Sequence, residues 1–202
     1  MQNSRMNTEP SAPGGNLVYI YRPSVMGSPS VFTLTAKDLE WSTRRGTGVV
    51  PFDQMRRVRM SYRPAHMQSH RFVTELWADG TPKLKIESTS WKSMLHQERF
   101  DELYSVFVAE LHRRIMQRGT ATRFEQGSNR FIYWLGFIAF VGVNLALAGL
   151  IVRALQTDTK GGAVLGCVFL AVFLWQGGDF VRRNRPGVYR PDALPSALMP
   201  KV

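Results

Sequence analysis

Between Leu17 and Thr89 apolar and polar positions alternate in short runs separated by turn residues, the period of two that half-buried strands produce. Leu17 to Tyr21 is the first such run and stops at Arg22-Pro23. Val31 to Thr35 sets Phe32 and Leu34 against Val31, Thr33 and Thr35; Asp38 to Thr43 follows with Leu39 and Trp41, and Arg44-Arg45-Gly46 turns the chain. Met55 to Tyr62 puts Val58, Met60 and Tyr62 on one face and Arg57, Arg59 and Ser61 on the other. Phe72 to Trp77 and Lys83 to Ser88 flank the turn Ala78-Asp79-Gly80-Thr81-Pro82, predicting a hairpin with Leu84 and Ile86 inward and Lys83, Lys85 and Glu87 outward. These runs predict an antiparallel sheet or barrel of six or seven strands, the count depending on whether the chain around Pro51 forms one bent strand or two.

The period then lengthens. Phe100, Leu103, Phe107, Leu111 and Ile115 lie three or four apart, which predicts an amphipathic helix over 97–117 that closes the sheet and ends at Gly119. Glu98, Asp101 and Glu102 fall in its first turns, where they complement the helix dipole. The expected class is α+β, with a soluble domain over 17–118 and a linker over 119–130. Residues 1–16 carry Pro10, Pro13, Gly14 and Gly15 among polar residues, lack the apolar core of a secretory signal, and are expected to be a disordered lead-in.

Phe131 to Val152 contains no Asp, Glu, Lys, Arg or His, and as a helix its 22 residues would extend about 33 Å, enough for a hydrocarbon core of about 30 Å. Tyr133 and Trp134 sit at its start and Arg130 and Arg153 bracket it, as interfacial anchors do. A second uncharged run covers 161–178, so a two-helix transmembrane hairpin is expected, with a short loop over 153–160 and a tail over 179–202. Arg113, Arg114, Arg118, Arg123 and Arg130 precede it and Arg182, Arg183, Arg185 and Arg190 follow it, whereas the loop carries only Lys160 with Arg153 at its edge. That asymmetry predicts both termini on the cytoplasmic side, in the inner membrane if the source is bacterial. Gly142 with Ala146, and Gly162 with Gly166, have small-xxx-small spacing, and Asn144 can hydrogen-bond between helices; these five are candidate helix-packing residues.

A run of strands followed by one amphipathic helix resembles the bacterial membrane-linked form of the pleckstrin-homology-like domain. The residues behind the resemblance are Phe32-Thr33-Leu34-Thr35, Leu39-Glu40-Trp41, the stretch from Gly48 to Val58 with Pro51, Phe52, Met55 and Val58, and the helix around Phe100 and Leu103. It covers roughly residues 17–117 and implies a binding fold. Lipid-binding members of the wider fold cluster basic residues between the first two strands, but the segment from Pro23 to Ser30 has no Lys or Arg, so phosphoinositide binding is not implied here.

The formal charge is +11, which points to an acidic partner, and the hairpin favours membrane lipid or a protein at its surface over nucleic acid. The basic residues are not interleaved with the exposed aromatics that a stacking platform for nucleic acid needs. Arg44 and Arg45 in a turn, and Arg56, Arg57, Arg59 and Arg63 along a strand, are the candidate lipid- or protein-binding set. The single cysteine, Cys167, excludes an intrachain disulfide and a cysteine zinc cluster. His66 and His70 have an i,i+4 spacing, but Pro64 and the flanking strands place them in a loop without an acidic third ligand; His112 is expected on the helix surface. Arg45-Gly46-Thr47-Gly48 is too short for a phosphate-cradling loop and reads as a turn, and no nucleophile elbow is present. No catalytic, metal or cofactor residues are therefore predicted. The leading expectation is a noncatalytic membrane-anchored adaptor; the alternative is an accessory subunit of a transporter or envelope-assembly complex, held by the hairpin, and a homo-oligomer is compatible with either.

Overall fold

The computed structural model describes residues 15–64, 70–93, 97–119 and 121–200. The expected lead-in thus lies outside the described residues except for Gly15 and Asn16, as do His66 and His96. The chain divides into two compact units, one formed by residues up to Gln126 together with those from Gly187 onward, the other by Gly127–Pro186.

In the first unit, β1 (Leu17–Tyr21), β2 (Ser30–Leu34), β3 (Asp38–Thr43) and β4 (Gly46–Pro51) form an antiparallel meander in that order. Pro51 ends β4, and a short 3-10 turn over Phe52–Gln54 leads into β5 (Met55–Pro64), so the chain here makes two strands rather than one bent strand. β5 pairs with β6 (His70–Ala78), and β6 with β7 (Leu84–Glu87), both antiparallel. β8 (Thr89–Trp91) and β9 (Gln97–Arg99) make a small separate ladder before α1 (Asp101–Gln117). The helix therefore starts later than its apolar spacing predicts, because 97–99 is drawn into pairing with 89–91 and the Phe100 amide donates to Ser88 O at 2.8 Å. Asp101 and Glu102 remain in its first turn, whereas Glu98 lies in β9. Gly119 follows the helix with φ 64°, the left-handed geometry that glycine adopts without strain.

The expected linker over 119–130 is not one. Arg123–Gln126 is β10, running parallel to β5, and Gly187–Val188 is β11, antiparallel to β10; the second sheet is β11-β10-β5-β6-β7. The tail predicted over 179–202 likewise returns to the first unit. Leu198 is buried in the core, with Tyr189, Leu194 and Met199 packed against it. This return was hidden because 187–200 is short, proline-rich and without periodicity. Among the described residues there are eleven strands in place of the predicted six or seven.

The core joins Phe32, Leu34 and Leu39 of the first sheet, Val58, Met60, Leu76 and Ile86 of the second, and Tyr104, Phe107, Leu111 and Ile115 of α1. No backbone ladder closes the two sheets into a barrel among the described residues. Side chains join them instead: the Tyr19 hydroxyl donates to Glu87 O at 2.6 Å and the Tyr21 hydroxyl to Lys85 O. Arg114, expected near the membrane surface, is only 5% exposed; it donates to the carbonyls of Leu34, Thr35 and Gly15 and pairs with Glu110. His112 is also buried, contrary to its expected surface position. Its Nδ1 lies 2.7 Å from Val108 O and its Nε2 2.7 Å from the Tyr189 hydroxyl, with Phe124 tilted against the ring.

The second unit is a pair of helices, α2 (Arg130–Gln156) and α3 (Lys160–Arg183), each longer than the apolar run that announced it. The uncharged segments are 131–152 and 161–178; the helices extend them by one residue at the N-terminal end and by four or five at the C-terminal end, where charged side chains can reach water. Both are long and apolar enough to cross a membrane, and their apolar stretches are unburied within the protein, which supports membrane association.

Two predictions follow from the first unit. Gln126 and Gly187 are directly opposed partners at the end of the β10–β11 ladder, so replacing 127–186 by Asn-Gly, which forms a two-residue hairpin turn, should yield a soluble protein with a cooperative thermal transition, whereas stopping the chain at Gln126 should abolish that transition. The second concerns acid. Burial lowers the His112 pKa to about 4 from its ordinary 6.5, so between these values the unfolded chain takes up a proton that the folded one refuses. Stability should be complete above pH 6.5 and fall as pH drops toward 4, by up to about 3 kcal/mol; in melting curves across this range, His112→Gln should flatten the decline.

Candidate functional site

The alternation along β5 fixes where its arginines point. Val58, Met60 and Tyr62 enter the core, so Arg57, Arg59, Ser61 and Arg63 face the other side of the second sheet. Register then sets their neighbours: Arg57 opposes Trp77 and Arg123, and Arg59 opposes Glu75 and Glu125. Arg59 Nε donates to Glu125 Oε2 at 3.0 Å, Arg123 Nε lies 3.0 Å from Glu125 Oε1, and Arg57 Nη1 is 3.9 Å from the same carboxylate. The Arg57 guanidinium stacks 3.8 Å from the Trp77 ring centroid, with Lys83 Nζ at 5.1 Å from it. Such cation–π contacts hold the cations flat against the sheet.

Two more carboxylates complete the grid. Glu75 is shared by Arg63 at 3.2 Å and Lys83 at 2.7 Å, and Glu87 by Arg71 at 3.0 Å and by Lys85. Both acids are about 3% exposed, so Glu87, which alternation places outward, is covered by the cations around it. Seven cations (Arg57, Arg59, Arg63, Arg71, Lys83, Lys85 and Arg123) share three carboxylates, leaving four positive charges without a matching acid. Arg56 points elsewhere: it makes an exposed ion pair with Asp79, whose carboxyl is held below its usual range by the Arg56 hydrogen bond.

The predicted basic set is therefore not one patch. Arg57, Arg59 and Arg63 belong to the ion-pair grid, whereas Arg44 and Arg45 lie exposed in the β3–β4 turn of the other sheet and form no ion pair among the described residues. Trp77, Glu75, Glu87, Arg123 and Glu125 escaped the sequence reading. Their one signal was a carboxylate at an outward strand position opposite a basic run, which becomes legible only once register is known.

In the helical pair, a Cβ at Gly166 would meet Ile151 Cγ1 at 2.7 Å. Gly162 lies in ordinary contact distance of Ala154 Cβ. Gly142 and Ala146 instead occupy an uncovered side of α2, and Asn144 donates to Phe140 O of its own helix rather than across the pair. Gly177 was missed, although a Cβ there would overlap the Phe140 ring at 2.2 Å. Cys167 is exposed on α3, and no group of three or more His, Cys, Asp or Glu placed to hold a metal ion occurs among the described residues.

No family model, curated protein or solved structure matches the chain.

The grid predicts a specific asymmetry. Glu125→Gln removes the one carboxylate shared by three guanidiniums at a site where Arg59 is 16% exposed, and should cost about 2–3 kcal/mol in denaturant unfolding. Arg56→Gln, at a fully solvated pair, should leave the unfolding midpoint unchanged.

Proposed function

We propose that this protein is a noncatalytic, membrane-anchored binding module whose α+β unit is held at the cytoplasmic face by a transmembrane hairpin and recognises an acidic surface, of a protein or of anionic lipid. The observation that carries this reading is the way the hairpin is attached. Both of its legs grow out of one ladder, β10 leading into α2 and β11 following α3, with three residues at each crossing. Three residues extend at most about 11 Å, so a unit tethered at two adjacent points stays close to the headgroups while keeping its sheets free to bind. The cationic flanks, with arginines before α2 and after α3 and only Lys160 and Arg153 at the short connection, favour the cytoplasmic side for both ends.

The order of seven strands and a closing helix, interrupted by the small β8–β9 ladder, supports the pleckstrin-homology-like reading. Arg44 and Arg45 are the proposed contact residues, since they are exposed and uncommitted, and a cation beside an anionic leaflet contributes on the order of 1 kcal/mol. Arg57, Arg59 and Arg63 contribute through the excess charge of their grid.

A second reading, an accessory subunit of a multispanning complex, is favoured by one feature. The side of α2 bearing Gly142 and Ala146 is not covered by α3, and small residues there permit close approach of another helix.

Two measurements separate these readings. In a Cys167→Ser background, Asp158→Cys should react with a membrane-impermeant maleimide from outside intact cells and Ala193→Cys should not; the reverse pattern would invert the proposed topology. Capture of the intact tagged protein from native membranes should recover an acidic protein or anionic lipid whose yield falls at least fivefold with Arg44→Glu/Arg45→Glu. A stoichiometric multispanning partner lost instead with Gly142→Leu would transfer the assignment to the second reading.

A further inference from the structure

We infer that two copies of this chain associate through β4, which pairs antiparallel with its own counterpart. The inference goes beyond the binding role proposed above and rests on how the four edges of the two larger sheets of the first unit are finished. Unpaired edge strands recruit further strands unless charge, proline, bulges, shortness or covering groups prevent it. β7 is covered, because its Lys85 and Glu87 carbonyls accept the tyrosine hydroxyls of β1. β1 is engaged by the same contacts, and the amide of Trp91 donates to Arg22 O at its end. β11 is two residues long.

Apart from the proline at its last position, β4 has none of these protections among the described residues. Its six residues contain no charged side chain, its register with β3 has no bulge, and its only proline is the last residue. Gly46 and Thr47 are exposed, and Val49 is 57% exposed. The outer face of the sheet next to β4 carries an open recess of about 370 Å³ lined by Val31 and Thr33 of β2, Glu40, Trp41 and Ser42 of β3, and Thr47, Gly48 and Val49 of β4.

Charge at the ends of β4 selects the occupant. Arg44 and Arg45 precede the strand and Asp53 follows it; all three are exposed and none has an ion-pair partner among the described residues. In a two-fold antiparallel pairing centred on Val49, Val49 meets Val49 of the second copy. Arg45 at each end then comes opposite Asp53 of the other chain. The symmetry repeats that complementary pair twice, which a closed two-fold interface requires. The sheet grows from four strands to eight by backbone hydrogen bonds, and an uncharged strand has nothing in its centre to repel its own copy.

The test uses the full chain in lipid nanodiscs or mild detergent. Mass measurement by light scattering should give a dimer at micromolar concentration, and Val49→Lys should convert it to a monomer that still unfolds in a cooperative thermal transition. In a Cys167→Ser background, Val49→Cys should form an interchain disulfide on mild oxidation, because directly opposed Cα atoms in an antiparallel pair lie about 4.5–5.5 Å apart, within the span of a disulfide; Val18→Cys, on the engaged edge, should not. Arg45→Glu should weaken the dimer at least tenfold and Arg45→Glu/Asp53→Arg should restore it. A monomeric wild type overturns the inference. So does a dimer that survives Val49→Lys without the Val49→Cys cross-link, since the contact then lies elsewhere, for instance between transmembrane helices.

Discussion

The rung between Gln126 and Gly187 is where the two units depend on each other's chain. Everything from Gly127 to Pro186 is an excursion from that rung, and closing so long a loop without internal order would cost conformational entropy that grows with the logarithm of its length. The helices remove most of that cost. At 27 and 24 residues, about 40 and 36 Å, they run out and back over nearly equal distances, so their outer ends, Arg130 and Arg183, return to one level. At the crossing itself the fit is tight. Gly127 has φ 78°, and a Cβ there would lie 2.4 Å from Arg185 O, so no side chain is accommodated.

Charge follows a comparable logic in the first unit. Its carboxylates are not spread evenly among the cations; Glu75, Glu87 and Glu125 sit low on the sheet, each beneath two or three longer basic side chains. Acids so placed stabilise the sheet internally while the surplus cations remain at the periphery. A surface of this kind stays folded without an anionic partner yet retains charge for one. The same arrangement makes charge reversal at Arg57 and Arg59 a poor probe of binding, since it would set like charges against Glu125 and disturb the sheet first.

The legible part of the fold was the part written in local period. Alternation located β2, β3, β5 and the β6–β7 hairpin, three-and-four spacing located α1, and uncharged length located α2 and α3. What escaped depends on partners distant in sequence. Arg123–Gln126 is four residues long and becomes a strand only because β5 lies beside it, and Gly187–Val188 only because β10 does. His112 and Arg114 read as surface residues on a helix because their burial comes from Tyr189 and from the β2–β3 turn, segments that helical spacing cannot foresee. For the candidate site, composition could only single out the arginines; register was needed to show which of them already had partners.

The burial of Leu198 sets an order for biosynthesis. Translation delivers the first ten strands and α1 before either apolar helix, yet the core keeps a vacant seat for Leu198, and for the ring of Tyr189 against His112, until after α3 has been made. The N-terminal unit is thus complete only once both apolar helices have left the ribosome. A chain whose two apolar helices fail to pack side by side would hold its last core residues away from their seats, so the first unit reaches its full stability only when that pair has formed.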